Sequence, residues 1–341
     1  MLNTVYRLVE PGRIEAEFCD IDVMGSDILI RPTHLAICNA DQRYYQGTRP
    51  PEILRKKLPM ALIHEGIGEV ICDPQGEYAS GTKVVLVPNT PVEEDNIIAE
   101  NYLRSSSFRS SGHDGFMQDI ISMRRDRVIP LPEGLDSNVA AFTELVSVAY
   151  HTIRRFDRKA HSRRDTIGVW GDGNLAFITS LLLSRLFSDS RIVILGKHEY
   201  KMRDFIFADD CFRVDDIPEG FTVDHAFECV GRMSSSAAIN QIIDRINPEG
   251  CIAAMGVSED NVPINTRMIL EKGLTMFGSS RSGADDFRNL LRLYEERPEI
   301  IEYLSRIVGA VIEVNSIEDM NRAFTEDIRK QGGKTIMLWK K

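Results

Sequence analysis

Residues 166–176 read TIGVWGDGNLA, and this stretch decides the fold of the second half of the chain. Its first five residues are mostly β-branched or aromatic, a pattern that predicts a short buried strand. A helix is predicted from Asn174 to about Leu186. Gly171 and Gly173 lie between the two elements and make the glycine turn of a dinucleotide-binding βαβ unit. The first glycine allows the tight turn, and the second lets the backbone approach a pyrophosphate.

The start of the predicted helix is the expected phosphate site. A helix that begins at Asn174 and Leu175 presents free backbone N–H groups and the positive end of its dipole. Ala176 is small enough to keep helix and strand close. The predicted cofactor-binding residues are therefore Gly171, Gly173, Asn174 and Leu175. An ordinary strand-to-helix loop is the alternative, but a strand before the turn and a helix after it favour the dinucleotide.

The end of the next predicted strand, residues 191–195, indicates which dinucleotide is bound. NAD enzymes usually carry an acidic residue there, which binds the ribose 2′-hydroxyl. This chain continues instead with Gly196, Lys197 and His198, and Lys201 follows. Cations in place of an acid suit a 2′-phosphate, so the pattern favours NADP. A solvated basic turn is the alternative interpretation.

The whole pattern predicts an α/β protein of two domains. Further strands that alternate with helices are predicted at residues 223–229, 251–257 and 274–277. Residues 146–283 therefore form a Rossmann domain with a doubly wound parallel sheet. Residues 1–145 contain short β runs broken by Gly and Pro. A helix at 285–296 and a strand at 335–339 are predicted to return to that β-rich domain, which then comprises residues 1–145 and 284–341.

Composition excludes several classes of protein. The chain has 341 residues and a formal net charge of −10, whereas a nucleic-acid-binding protein needs a basic surface. The N-terminus has no apolar segment typical of a signal peptide, and the most apolar run, residues 175–187, is too short to cross a bilayer. The six cysteines form no Cys-x-x-Cys pair, which is typical of reduced thiols. We therefore expect a cytoplasmic protein without nucleic-acid or membrane partners.

Residues of metal-binding type stand close together in the first domain. Cys38 and Asp41 form a Cys-x-x-Asp segment, and His64 and Glu65 are adjacent. A thiolate, an imidazole and a carboxylate together suit zinc. Taken singly, Cys38 or His64 would more often be a core residue than a ligand. A metal site that precedes a nucleotide turn, however, suggests a metal-assisted dehydrogenase.

In these features the chain resembles the zinc-dependent medium-chain alcohol and polyol dehydrogenases over essentially its whole length. The resemblance implies a GroES-like catalytic domain, a Rossmann cofactor domain and catalytic zinc held by Cys38 and His64. It also implies that Glu65 is a ligand, and that Glu144, in the segment TELVS, binds the zinc directly or through its water. Asp41 matches the acid that orients the zinc histidine.

The chain also departs from that family. Ile63 replaces the glycine before the zinc histidine, and Arg43 stands where the usual proton relay has a histidine. Tyr44, or a water beside Glu65 or Glu144, is then left as the proton donor. The four cysteines of the family's structural-zinc lobe have no counterpart, so one zinc per chain is predicted.

A closer resemblance is carried by four segments, DQRYY at 41–45, RKKLPM at 55–60, GHDGFM at 112–117 and GSSRSG at 278–283. They are similar to the ribulose-5-phosphate reductases, also called ribitol-5-phosphate dehydrogenases, of bacterial wall teichoic acid synthesis. The resemblance implies NADPH-dependent reduction of D-ribulose 5-phosphate to D-ribitol 5-phosphate. It also implies a cytidylyltransferase partner that makes CDP-ribitol, and a homodimer, since family members commonly pair.

Basic residues near the metal segments support a phosphorylated substrate. Arg43 lies five residues after Cys38, and a guanidinium binds phosphate through two parallel hydrogen bonds. Arg109 and Arg281 are weaker candidates, and a solvated charged loop is the alternative. Two other functions stay open at this point. One is a neutral-polyol dehydrogenase, which needs no phosphate anchor, and the other is a non-catalytic NADPH-binding protein.

Overall fold

The computed structural model describes all 341 residues, and its contacts divide the chain into two compact units. The first unit comprises Met1–Ser147 and Ser282–Lys341, and the second comprises Val148–Arg281. None of the helices combines the length and the apolar character that a membrane crossing requires.

The strands, numbered in chain order, are β1 Leu2–Glu10, β2 Arg13–Asp20, β3 Ile28–Ala36, β4 Met60–Ala61, β5 Glu65–Cys72, β6 Lys83–Leu86, β7 Asn89–Thr90, β8 Ser107–Phe108, β9 Ile121–Met123, β10 Val128–Pro130, β11 Thr166–Trp170, β12 Arg191–Gly196, β13 Asp210–Arg213, β14 Val223–Glu228, β15 Ile246–Ala254, β16 Thr275–Gly278, β17 Val308–Val314 and β18 Lys334–Trp339. The helices are α1 Asn39–Tyr45, α2 Pro51–Lys57, α3 Ser137–Ala140, α4 Thr143–Lys159, α5 Asn174–Leu186, α6 Glu199–Met202, α7 Ser234–Arg245, α8 Thr266–Glu271, α9 Ala284–Glu296, α10 Glu299–Ser305 and α11 Ile317–Arg329. Two short 3-10 helices lie at Glu100–Tyr102 and Arg125–Arg127.

The second unit contains one six-stranded sheet in the order β13-β12-β11-β14-β15-β16, and every neighbouring pair is parallel. Counted from β11, this is the order 3-2-1-4-5-6 of the doubly wound dinucleotide-binding fold. Strand β11 and helix α5 span the residues that the sequence predicts for them. The predicted α/β class with a Rossmann sheet is therefore confirmed.

Two strands of this sheet differ most from the sequence prediction. Strand β15 spans Ile246–Ala254, so it begins and ends earlier than the predicted strand at residues 251–257. Strand β13 was not predicted at all. Its four residues, DCFR, are charged at both ends and half-exposed or exposed, because β13 is an edge strand that pairs only with β12. An edge strand of that length lacks the apolar run that marks a buried one.

The largest sheet of the first unit has the order β10-β6-β5-β3-β18-β17, and β9 also pairs with β3. Strand β18 runs antiparallel to β3, so the C-terminal strand belongs to the same sheet as the strands of the β-rich first half. In this register Ala36, the last residue of β3, lies opposite both Glu65 of β5 and Ile336 of β18. The end of one strand and the starts of two others therefore meet at one place.

Candidate metal centre and nucleotide turn

The meeting point of β3, β5 and β18 positions the predicted metal residues. The chain leaves β3 at Ala36 and reaches Cys38, while His64 and Glu65 stand at the start of β5. Helix α1 begins directly after Cys38, and Asp41 in its first turn accepts a 3.2 Å hydrogen bond at Oδ2 from the Cys38 N–H. Both the sheet register and this helix cap therefore fix the cysteine beside the histidine.

Cys38, His64 and Glu65 form a compact donor group in the structure. Their ligand atoms all lie within 4.8 Å of one another, and His64 and Glu65 are buried. A tetrahedral zinc with bonds of about 2.0–2.3 Å places its ligands roughly 3.3–3.8 Å apart. A small inward movement of these side chains would therefore accommodate the ion.

An orphaned oxygen shows that the group fits a cation. Glu65 Oε1 accepts a 2.7 Å hydrogen bond from Lys334 Nζ, but Glu65 Oε2 is buried without a hydrogen-bond partner. A buried carboxylate oxygen without a partner is costly, and a metal ion would satisfy it. Lys334 Nζ also donates to Ile37 O at 2.9 Å, so the lysine ties Glu65 to the segment that leads into Cys38.

Asp41 accepts several hydrogen bonds from the segments around these donors. Its Oδ1 accepts from Ile63 N at 3.0 Å and from Ser110 Oγ at 2.7 Å. The same oxygen lies 3.6 Å from His64 Nδ1, which is ion-pair distance but too long for a hydrogen bond. His64 Nδ1 thus faces a carboxylate, as a metal-bound histidine does with its second nitrogen, and Nε2 is left for the metal.

The charges of the cluster also favour a cation. Burial raises the pKa of the Cys38 thiol. Burial alone would lower the pKa of His64, yet Asp41 and Cys38 raise it well above its ordinary value. The carboxyls of Asp41, Glu65 and Glu144 are all buried, and the buried lysine Lys334 pairs with Glu65. A divalent cation bound by the donor group would offset these negative charges.

Glu144 lies on α4 at the edge of this cluster. It is 5% exposed, but its carboxyl is not in the group that shares the 4.8 Å spacing. Burial raises the pKa of Glu144 to about 7, His64 lowers it and Glu65 raises it. The pKa of Glu144 therefore depends on the charges of the site. Its binding to zinc, directly or through water, stays a prediction.

Ile63 occupies a conformation that normally requires glycine. Its φ is 72°, and for a β-branched residue this left-handed backbone costs on the order of 1–3 kcal/mol. Two hydrogen bonds hold it, from its own N–H to Asp41 Oδ1 and from the Phe116 N–H to its carbonyl at 2.7 Å. The departure from the family's glycine thus keeps the glycine-like backbone before His64.

The predicted phosphate and proton residues have different surroundings. Arg43 is half-buried near the end of α1, whereas the guanidinium of Arg109 donates to the carbonyls of Asp114 and Ser122 at 3.2 and 2.8 Å. Arg109 therefore holds backbone together within the first unit. Arg281 is half-buried with a φ of 56°.

Tyr44, the predicted proton donor, is 1% exposed, and its hydroxyl has no hydrogen-bond partner. The Arg49 guanidinium lies 4.5 Å from the centre of its ring, and Lys57 Nζ lies 5.9 Å away. Lys57 also donates to Ser111 Oγ at 2.9 Å. Two of the basic residues after Cys38, Arg49 and Lys57, therefore pack against the ring of Tyr44.

The nucleotide turn has the predicted geometry in the second unit. Gly171 has a φ of 137°, which an L side chain rarely adopts, and α5 begins at Asn174 immediately after Gly173. The next strand ends at Gly196, and Lys197, His198 and Lys201 follow. Strands β11 and β12 are parallel neighbours, so the turn that follows β11 lies beside the end of β12.

Sequence reasoning missed three residues of these sites. Lys334 pairs with Glu65 but lies immediately before the predicted last strand, where a lysine suggests a solvated strand end. Ser110 reaches Asp41 from a loop that is distant in sequence. Asp172 stands between the two glycines, where the motif accepts any residue, yet it contacts the turn after β12. The position of Asp172 next to a glycine turn was the only available signal.

Comparison with protein families gives two matches. The Zinc-binding dehydrogenase family matches residues 208–296, and the Alcohol dehydrogenase GroES-like domain matches residues 25–133. The second match contains Cys38, His64 and Glu65, and the first covers part of the Rossmann sheet.

Relatives match over nearly the whole chain. Ribulose-5-phosphate reductase of Bacillus spizizenii is 53% identical over 339 residues, and ribulose-5-phosphate reductase 1 of Staphylococcus aureus is 51% identical over 339 residues. Each alignment covers 99% of both chains. The crystal structure of S. aureus TarJ in complex with NADPH superposes with a TM-score of 0.90 at 46% identity, again over 99% of each chain.

Proposed function

The chain belongs to the zinc-binding dehydrogenases and, among them, to the ribulose-5-phosphate reductases, and on that premise we propose that it reduces D-ribulose 5-phosphate to D-ribitol 5-phosphate with NADPH. The observation that carries the proposal is the buried Cys38, His64 and Glu65 group in a chain about half identical to those reductases. The NADPH complex of TarJ, a structure of 46% identity, supports the choice of cofactor.

Different segments of the chain would hold the two cofactors. Zinc, held by Cys38, His64 and Glu65, would act as a Lewis acid on the substrate carbonyl. NADPH, bound at the Gly171 to Leu175 turn, would supply the hydride. We assign residues 146–283 to the dinucleotide, and residues 1–145 with 284–341 to zinc and substrate.

The protein's own residues give the metal donors a fixed geometry. Asp41 holds the Cys38 amide and the Ile63 amide, so the two ligand-bearing segments cannot move apart independently. Lys334 fixes one oxygen of Glu65 and leaves the other free to face a metal. Such ligand positioning lowers the reorganisation that binding and catalysis require.

A phosphorylated substrate is favoured by Arg43. It is half-buried on the helix that begins after Cys38, so its guanidinium is tethered close to the metal donors in sequence. A bidentate guanidinium–phosphate contact would discriminate strongly against an unphosphorylated ketose. Arg43 is therefore our first candidate for the substrate phosphate, ahead of Arg109 and Arg281.

We further propose a cytoplasmic homodimer that supplies a cytidylyltransferase of CDP-ribitol synthesis for poly(ribitol phosphate) teichoic acid. The pairing surface proposed is the free edge of β16, the last strand of the parallel sheet. Leu270, in the helix just before β16, is 81% exposed. An exposed sheet edge near an exposed apolar side chain favours association with a second copy. Light scattering that gives a monomer mass at micromolar concentration would refute the dimer.

The decisive experiment is an NADPH-oxidation assay of the zinc-loaded protein. We expect turnover with D-ribulose 5-phosphate and little with D-ribulose. NADH should be the poorer coenzyme in kcat/KM. A chelated sample gives the metal-free control, and restoration of turnover by added zinc completes it.

The same assay separates the two rival functions. Equal turnover of free ribulose, or oxidation of sorbitol, xylitol or ribitol with NADP, would identify a neutral-polyol dehydrogenase. Binding of NADPH without turnover of any pentulose in a protein that contains zinc would identify a non-catalytic binding protein.

A further inference from the structure

Asp172, between the two glycines of the nucleotide turn, makes a set of contacts that the glycine motif does not require. Its Oδ2 accepts from Lys197 N and from His198 N at 2.8 Å each, and it lies 2.8 Å from His198 Nδ1. Its Oδ1 lies 4.0 Å from Lys201 Nζ. One carboxylate therefore binds the backbone of Lys197 and His198, contacts the His198 ring, and lies at ion-pair distance from Lys201.

The space around Gly196 explains why the usual ribose acid is missing from the end of β12. A Cβ at this position would lie 2.9 Å from Asp172 Cβ and 2.7 Å from Met202 Sδ. The place where that acid's side chain would begin is thus filled by Asp172. An acid is still present, but it comes from the glycine turn instead of from β12.

The direction in which this carboxylate faces differs from that of a ribose-binding acid. Asp172 has a side chain only 13% exposed, and its hydrogen bonds are directed at the turn after β12. Burial alone would raise the pKa of Asp172, but the His198 amide, the His198 ring and the Lys197 amide lower it, so it is a carboxylate at neutral pH. His198 and Lys201, by contrast, are 47% and 27% exposed and remain accessible to a ligand.

We propose that Asp172 is a positioning residue for NADPH, which anchors the 197–198 turn and holds His198 and Lys201 where they receive the 2′-phosphate. This inference rests on the proposed function and deepens its coenzyme preference. Asp172 occupies the two backbone N–H groups of the turn, those of Lys197 and His198. The side chains of the turn are therefore left to bind the phosphate. In the competing role, Asp172 itself binds the ribose 2′-hydroxyl. Its removal would then weaken binding of the unphosphorylated probes rather than of the 2′-phosphorylated ones.

The test is a calorimetric titration of the zinc-loaded protein with two pairs of probes. The pairs are NADPH against NADH, and adenosine 2′,5′-bisphosphate against adenosine 5′-monophosphate. For Asp172→Ala we expect Kd for the 2′-phosphorylated member of each pair to rise about tenfold or more, since a charged hydrogen bond is lost from the site. Kd for the unphosphorylated member should change by less than about threefold.

Two further variants keep the result interpretable. Asp172→Asn preserves the size and an acceptor oxygen but removes the charge, so it should fold and show an intermediate loss of 2′-phosphate preference. Asp210→Ala removes a carboxylate that pairs with Arg191 at the opposite end of β12, and should leave both probe pairs unchanged. Thermal melting of each variant shows that the comparison is made on folded protein.

Each outcome decides the matter. Tighter binding of the 2′-phosphorylated probes to Asp172→Ala would mean that the carboxylate repels them, and an equal loss for both members of a pair would mean a general structural role. Either result overturns the proposal. A native protein that does not prefer 2′-phosphorylated probes would instead refute the proposed NADPH preference itself, and this is visible before any variant is made.

Discussion

Lys334 Nζ lies 2.7 Å from Glu65 Oε1 in the interior of the first unit, and the two side chains are 3% and 0% exposed. The pair joins the first residue of β18 to the first residue of β5, two strands that flank β3. Burial alone would lower the pKa of Lys334, but Glu65 and Cys38 raise it, so the lysine is charged. Glu65 is thus held by a cation on one oxygen while the other oxygen stays unsatisfied.

Removal of this lysine should affect the zinc-free protein more than the zinc-loaded one. In Lys334→Met the Glu65 carboxylate is left buried without a counter-charge, which costs about 3–5 kcal/mol. A bound zinc would supply the missing charge and reduce that loss. Urea unfolding with chelator and with zinc measures both values. A Lys272→Met control, which removes hydrogen bonds from Lys272 Nζ to three backbone carbonyls in the second unit, should lose the same amount in both states. Equal losses for Lys334→Met would argue that Glu65 does not face the metal.

The sequence predicted the elements whose signals are local. The glycine turn, strand β11 and helix α5 are specified by neighbouring residues, and the structure places them as predicted. Residue type indicated Cys38, His64 and Glu65 as candidate zinc ligands and the family resemblance supported them, but nothing local shows that Cys38 and His64 meet. Their proximity depends on the antiparallel register of β3 and β5, which is a property of the folded sheet.

Partners that come from distant segments could not be predicted. Lys334 reaches Glu65 across 269 positions of sequence, and a lysine beside two glycines has the composition of an exposed turn. Gly196 was interpreted as the loss of an acid, whereas Asp172 occupies that space from another strand-to-helix turn. Short range patterns indicate which elements form, but these contacts depend on which elements become neighbours.

The second unit should lose stability in mild acid through His225. Its Nδ1 accepts from the Cys251 N–H at 3.1 Å and its Nε2 lies 3.2 Å from His161 O, so both nitrogens are used by the neutral ring. Burial and the nearby His161 lower its pKa to about 4. Below an unfolded pKa of about 6.5 only the unfolded chain takes up the proton, so stability falls as pH drops from about 7 towards 4.

The expected loss between about pH 7.5 and about pH 5.5 is roughly 1 kcal/mol, because one pKa unit corresponds to 1.36 kcal/mol. Urea unfolding of the native protein and of His225→Gln at both pH values measures this contribution. The variant should show a smaller pH dependence, whereas His113→Gln, at an exposed position, should retain the full dependence. An unchanged dependence in His225→Gln would assign the acid sensitivity to other groups.

Loss of the thiolate should separate metal binding from coenzyme binding. Cys38→Ser is expected to reduce zinc content and abolish turnover, because serine is a poor zinc ligand. NADPH affinity should be nearly unchanged, since the glycine turn lies in the other unit. Metal analysis by mass spectrometry and NADPH titration measure the two effects. Cys72→Ser, at an exposed cysteine, is the matched control. Active native enzyme without zinc would refute the metal assignment.

Arg43→Ala should distinguish a phosphate anchor from a structural arginine. Charged hydrogen bonds contribute roughly 1.5–3 kcal/mol each, so loss of a bidentate contact should cut kcat/KM for D-ribulose 5-phosphate by about a hundredfold or more. Activity on D-ribulose, which in the native enzyme should already be poorer by on the order of a thousandfold, should fall far less, because that substrate never paired with the guanidinium. Arg55→Ala, an exposed arginine on α2, should leave both values nearly unchanged. If Arg43→Ala lowers both activities equally, the arginine supports the zinc site or the fold, and the phosphate must be bound elsewhere.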